Sequence, residues 1–200
     1  MKIIILAVLI VLSACAKQPP QNKTAAPADN AKIQNTEEKS PQYIAQEICI
    51  GEAYTEILDS SKNRVFNIQR AIENVSGCEI KSENIFSFNE KTGPRTKENG
   101  YKTATVIIDG EHCYDYGGGV CQLSTTIYKA ATAAGLEIKE RYSHTKPVAY
   151  APDGSDATVV YGAKDLRIKN NTGKTLLIYA WIQENKIYVK IIEKDIDNVG

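Results

Sequence analysis

At 200 residues, with 42% hydrophobic and 8% aromatic side chains, the chain is long enough for one domain with a real core plus an appendage. Its 24 basic and 24 acidic side chains cancel. No overall field therefore draws it to nucleic acid or to an anionic membrane surface, and no nucleic-acid partner is expected.

The N-terminus reads as a lipoprotein signal peptide. Lys2 is followed by an apolar run from Ile3 to Leu12 and then by Ser13-Ala14-Cys15. The run is too short to remain in a bilayer as a spanning helix, and small residues before the cut suit a signal peptidase. Leu12-Ser13-Ala14-Cys15 matches the bacterial lipobox. Residues 1–15 are thus expected to be the signal, with Cys15 the lipidation site and an extracytoplasmic, membrane-anchored mature chain; acyl chains hold it there by burying methylenes. Residues 16–42 carry Ile33 as their only large apolar side chain. Such a composition cannot offset its ordering entropy, so the segment is read as a tether, with the folded domain over 43–194 and a short tail over 195–200.

Within the domain, Tyr43 to Leu58 mixes β-branched and aromatic residues with polar ones and reads as one or two strands. Val65, Ile68, Ile72 and Val75 stand at helical spacing over Arg64–Val75, before Gly77 as a stop. Glu83 to Phe88 is a short apolar stretch, closed by a loop over Asn89-Glu90-Lys91-Thr92-Gly93-Pro94. Tyr101 to Ile108 reads as a strand ending in a turn at Asp109-Gly110. Gly117-Gly118-Gly119 precedes a buried helix over Val120–Ala134, ended by Gly135. Strands follow at Ile138–Tyr142, Val148–Ala151, Ala157–Val160, Leu166–Lys169, Thr175–Ile182 and Lys186–Ile192, the last three forming an antiparallel meander. The expected class is α+β: early helices and one buried central helix packed on a mainly antiparallel sheet with a C-terminal meander.

The residues carry a resemblance. Phe86-Ser87-Phe88-Asn89, Gly93-Pro94-Arg95-Thr96, Gly100-Tyr101 and the block from Gly117 to Tyr128 resemble the VanW family. So do Gly135-Leu136, Glu140-Arg141, His144, Pro147-Val148, Tyr150, Gly154 to Val159, Asp165-Leu166 and Lys169 to Thr172. The resemblance spans about Tyr43 to Glu193 and implies a role in the cell envelope. The chemistry must be argued from the residues themselves.

Cys121 falls in the first turn of a helix, directly after three glycines. Free backbone N–H groups and the positive end of the helix dipole favour a thiolate there. The amides of Gly117, Gly118 and Gly119 could line an oxyanion hole. Downstream stand His144 in a Ser-His-Thr loop and Asp156 in a Gly-Ser-Asp turn. Their order after Cys121 is similar to that of transglutaminase-like enzymes, with Cys121 attacking, His144 as base and Asp156 orienting it. This reading makes the protein a thiol-dependent amidase, peptidase or transpeptidase acting on cell-wall peptide. Gln122, Ser124 and Thr125 would contact the ligand. Among the basic groups Arg95, Arg141 and Arg167, one would grip a peptide carboxylate bidentately. Tyr101, Tyr114, Tyr116, Tyr128, Tyr142 and Tyr150 could form a groove for sugar or peptide.

The alternative is a non-catalytic module that holds wall peptide or glycopeptide, with Cys121 a small core residue and Gln122, Ser124 and Thr125 capping or packing groups. Cys49, Cys78, Cys113 and Cys121 allow three disulfide connectivities in an exported chain, and a Cys113–Cys121 bond would remove the nucleophile. His112, Cys113, Cys121 and His144 have no recognised zinc spacing, so neither metal nor other cofactor is expected.

Overall fold

A computed structural model of the chain describes residues 47–108 and 111–194. The expected signal peptide, Cys15, tether, C-terminal tail and Asp109-Gly110 turn lie outside the described residues. The described residues fall in one compact unit of α+β class.

Its main layer is a four-stranded antiparallel sheet of β1 (Ile48–Glu56), β2 (Cys78–Ile80), β8 (Thr175–Gln183) and β9 (Lys186–Lys194), in the order β1-β9-β8-β2. The strands alternate as one-faced strands must. On β8, Leu176, Ile178 and Ala180 are buried, and on β9, Ile187, Val189 and Ile191. Helices α1 (Lys62–Val75) and α3 (Val120–Ala133) cover that inner face, α3 against β1 and β9 and α1 against β8. α1 buries Ile68, Ala71, Ile72 and Val75 at the expected spacing. It ends where Ser76 turns extended, and the Ser76 Oγ accepts the Ala180 N–H at 3.0 Å.

Gly51 lets α3 lie close on β1, because a Cβ there would stand 2.4 Å from the Ala130 carbonyl oxygen. Leu123 and Ile127 of α3 are fully buried, and a burial of that size is worth about 1.5–3 kcal/mol each.

A second sheet holds β3 (Ile85–Ser87), β6 (Glu137–Glu140) and β7 (Arg167–Lys169) in the order β3-β7-β6; β4 (Thr103–Ile108) and β5 (Glu111–Tyr116) form a separate hairpin. At the C-terminus β8 and β9 pair along their whole length, while β7 pairs with β3 and β6.

Three local expectations change. The loop expected from Asn89 to Pro94 begins as a short helix, α2 (Phe88–Thr92), because the Ser87 Oγ caps it by accepting the Glu90 N–H at 3.1 Å. Residues 148–151 form a turn rather than a strand. Pro147 and Pro152 flank this segment, and proline supplies no ladder donor. Residues 157–160 make only the isolated bridges Tyr142 to Thr158 and Val160 to Lys164. Side chains of α3 take the place of a second strand beside them.

Candidate active site

The site is assembled where the N-terminus of α3 meets the segment 156–159. The three glycines before α3 are required by packing and by backbone conformation. Gly117 and Gly119 have φ of +83° and +106°. A Cβ on Gly118 would stand 2.5 Å from the Thr105 carbonyl oxygen, and one on Gly119 would meet Arg64 and Ile68 at 2.9 Å. Asn67, fully buried on α1, clamps this loop. Its Nδ2 donates to the carbonyls of Lys102 (2.9 Å) and Gly118 (3.1 Å), and its Oδ1 accepts the Lys102 N–H at 2.8 Å. The Gly117 N–H donates to the Lys102 carbonyl at 3.2 Å, so that amide serves the fold rather than an oxyanion hole.

Gln122, Ser124 and Thr125, expected as ligand contacts, are at most 1% exposed. Gln122 donates to the Glu56 carbonyl at 2.7 Å and accepts from Arg64 Nη2 at 3.1 Å. Ser124 Oγ donates to the Ala157 carbonyl at 2.5 Å, and Thr125 Oγ1 accepts the Ala157 N–H at 2.9 Å. These residues therefore position the site: Ser124 and Thr125 fasten the backbone beside Asp156 to the helix that carries Cys121.

Cys121, His144 and Asp156 converge there. The Cys121 Sγ accepts the Val159 N–H at 3.5 Å and lies 3.6 Å from Thr158 Oγ1. His144 Nδ1 donates to Asp156 Oδ2 at 2.5 Å, which leaves its other ring nitrogen for the sulfur, and the His144 N–H donates to the same oxygen at 2.8 Å. The side chains of His144 and Asp156 are 9% and 5% exposed. Burial raises the Cys121 pKa, but the hydrogen bond and charge of His144, aided by Val159 and Thr158, bring it below the ordinary thiol value. For His144, burial opposes the proton, and Cys121 and then Asp156 outweigh it, so its pKa is raised. Asp156 is disfavoured as a charge by burial, yet the backbone and ring N–H groups of His144 hold its pKa down. The combination favours a thiolate–imidazolium pair backed by a carboxylate. All four described cysteines are free.

Two residues beside this group sharpen its electrostatics. Tyr150 has its phenol pKa pushed far up by burial and by the charges of Cys121 and Asp156, against Arg64, and remains a neutral donor. Arg95 is disfavoured as a cation by burial and supported by Tyr101, Cys121, Asp165 and Tyr161. Its Nη1 donates to Asn89 Oδ1 at 2.6 Å, and its buried Nη2 has no partner. Arg141 instead braces the approach to Asp156. It donates to the Gly154 carbonyl at 2.7 Å and to Ser143, and stacks 4.9 Å over the Tyr128 ring. Both bonds come from Nη2, and its buried Nε has no partner. Arg167 lies on β7 opposite Ser87 and Glu140. Of the expected tyrosines, Tyr101 is buried and Tyr114 is 82% exposed on β5, so they share no groove.

Sequence reasoning passed over Asn67 and Asp165. The signal for Asn67 was a polar residue on the apolar face of α1. Asp165 gave no local sign, although its carboxylate accepts from Ser87 Oγ at 2.5 Å and from the Asn89 N–H at 2.9 Å and so supports the Asn89–Arg95 pair. His112 pairs with Ile107 in the hairpin, and among the described residues no group of three His, Cys, Asp or Glu side chains has the arrangement of a metal site.

The family model described as "VanW like protein" matches residues 63–192, more than half of the chain. The chain is 37% identical over 149 residues to the uncharacterized protein YoaR of Bacillus subtilis (strain 168), covering 74% of this chain and 49% of that protein. It is 30% identical over 131 residues to the vancomycin B-type resistance protein VanW of Enterococcus faecalis (strain ATCC 700802 / V583), covering 63% of this chain and 48% of that protein. The chain thus spans about half the length of the curated relatives it matches. No solved structure matches it.

Proposed function

The chain belongs to the VanW family, and from that premise we propose that it is a thiol-dependent acyl-transfer enzyme of the cell envelope, acting on wall peptide and anchored to the membrane through a lipid on Cys15. The observation that carries the reading is the convergence of Cys121, His144 and Asp156, with the thiol pKa lowered and the imidazole pKa raised. The name of the Enterococcus faecalis relative, a vancomycin resistance protein, supports the choice of wall peptide.

In this reading the Cys121 thiolate attacks the acyl carbon of an amide. The C–S bond forms, the C–N bond breaks, and the His144 imidazolium gives its proton to the departing amine, leaving a thioester and a neutral imidazole. Water or a second amine then attacks, His144 takes the proton from that nucleophile, and the thiolate leaves. Asp156 stays ionised and fixes the ring and its tautomer. The Cys121 N–H, in the first turn of a helix where backbone donors lack intrahelical acceptors, faces the developing oxyanion, and the neutral phenol of Tyr150 is a second donor.

The test is mass spectrometry of the full chain after brief incubation with wall fragments. An acyl adduct on Cys121 that decays by hydrolysis, and is missing in Cys121→Ser, supports the proposal. Unchanged fragments with no adduct would return the chain to a binding role.

A further inference from the structure

β1 is an edge strand: among the described residues it pairs only with β9. Its hydrogen-bonding parity can be read from its end. The Ile57 N–H donates to the Asn185 carbonyl at 2.8 Å, continuing the register in which Glu56 faces Lys186. Antiparallel pairing alternates, so Ala53 and Thr55 turn their backbone groups toward β9, whereas Glu52, Tyr54 and Glu56 turn theirs to the open edge. The Glu56 carbonyl is already taken there by Gln122 Nε2 at 2.7 Å, which agrees with this parity.

That edge is one side of a cleft of about 870 Å³. The run from Glu52 to Glu56 lines it, together with Tyr188, Val189 and Lys190 of the neighbouring β9. Lys129 of α3 and the Ala149-Tyr150 turn also line it, and Trp181 lies within it. Two of its lining residues, Glu56 and Tyr150, tie it to the neighbourhood of the candidate site. Gln122, at the Glu56 end, is the neighbour of Cys121, and Tyr150 feels the charge of Cys121 and bonds to Thr125.

The geometry points to strand addition: an extended peptide lies along β1, exchanges backbone hydrogen bonds with Glu52 and Tyr54, and delivers its acyl carbon past Tyr150 to Cys121. The occupant is a single peptide strand, because Lys129 and the Ala149-Tyr150 turn share the cleft with the strand edge. This inference rests on the acyl-transfer reading for its substrate class, but its groove does not use the sulfur.

Trp181 is the only tryptophan of the chain, so its fluorescence reports on the cleft alone. The full chain is titrated with a synthetic wall stem pentapeptide ending in D-alanyl-D-alanine. Binding should change the Trp181 emission and slow hydrogen exchange at the Glu52 and Tyr54 amides, equally in Cys121→Ser. Tyr54→Ala keeps the edge N–H and should hold affinity within about threefold, whereas Tyr54→Pro removes it and should weaken binding at least tenfold. Exchange in the unsubstituted chain needs no variant to fold. Equal losses in both variants would overturn the inference in favour of the aromatic ring. Unprotected amides would overturn it, as would a response to N-acetylglucosamine oligomers but not to peptide. Protected edge amides without any Cys121 adduct would leave the groove standing and remove only the chemistry.

Discussion

His144 is held twice by one oxygen of Asp156, through its ring Nδ1 at 2.5 Å and through its own backbone N–H at 2.8 Å. The carboxylate therefore fixes both where the imidazole points and where the loop that carries it sits. A ring held in this way has one orientation and one tautomer, with its second nitrogen left free.

Thiol reactivity should follow this arrangement. Alkylation tracks the thiolate, so Cys121 should react with iodoacetamide with an apparent pKa below the ordinary thiol value of about 8.5. Cys78, whose pKa burial raises, should lag behind it at neutral pH. His144→Ala removes the largest influences that lower the Cys121 pKa and leaves the burial that raises it, with only Val159 and Thr158 still opposing, so the apparent pKa should climb above the unsubstituted value. His112→Ala, exposed on β5, should leave it unchanged. Rate against pH, with peptide mapping of the adduct, is the measurement, and slow labelling of folded protein at every pH would sink the thiolate assignment.

Asp156→Asn keeps the shape and removes the charge. The raised pKa of His144 should fall, and acyl transfer should drop by about 10³-fold or more, because the imidazolium loses its partner and the tautomer its control. Stability should fall by about 2 kcal/mol near neutral pH. The sign with pH is set by the direction of each shift. Asp156 is depressed in the fold, so its contribution is full above its unfolded pKa and is lost as pH falls through the folded value. The raised His144 contributes fully below its unfolded pKa and loses that contribution as pH rises through its folded value. Urea unfolding of both proteins between acid and neutral pH should show the gap closing toward acid.

The packing of the glycine loop predicts a contrast between two substitutions. Gly118→Ala places a Cβ against backbone atoms of Ala104 and Thr105 and should cost about 1–3 kcal/mol or more, with loss of Cys121 reactivity as the helix start shifts. Gly135→Ala meets no atom within 4 Å, so only its φ of +69° is strained, and it should cost about 1 kcal/mol with reactivity unchanged. Denaturant midpoints and alkylation rates together check both.

The buried hydroxyl of Thr125 makes a separable prediction. Thr125→Val preserves volume but leaves the Ala157 N–H without its acceptor, which should cost about 1–3 kcal/mol. Because Ala157 follows Asp156, the His144 resonances should also broaden or shift in a histidine-detected NMR titration, and an unmoved His144 would show that α3 does not position the carboxylate.

The lipid anchor is tested apart from the domain. Cys15→Ala should abolish incorporation of a fatty-acid probe and leave an unprocessed precursor, and label retained in that variant would refute the lipobox reading.

What the sequence determined by itself is local. The spacing of Ile68, Ile72 and Val75 gave α1, and the glycine run followed by an apolar stretch gave α3 with Cys121 in its first turn. The alternation in β8 and β9 gave the closing hairpin, since side-chain period and turn residues act within a few positions of one another. The tertiary structure decided what depends on groups far apart in the chain. Ser87 capped a helix where turn residues suggested a loop. The 157–160 segment is held by Ser124 and Thr125 rather than by a strand partner, across more than thirty residues of chain. Gln122, Ser124, Thr125 and Arg141 look like ligand contacts in a sequence because they are polar and stand near Cys121. Only the fold shows that their hydrogen bonds are made to Glu56, Ala157 and Gly154. A polar side chain's partner is set by which backbone groups would otherwise be buried unpaired beside it, and that is a property of the packed molecule.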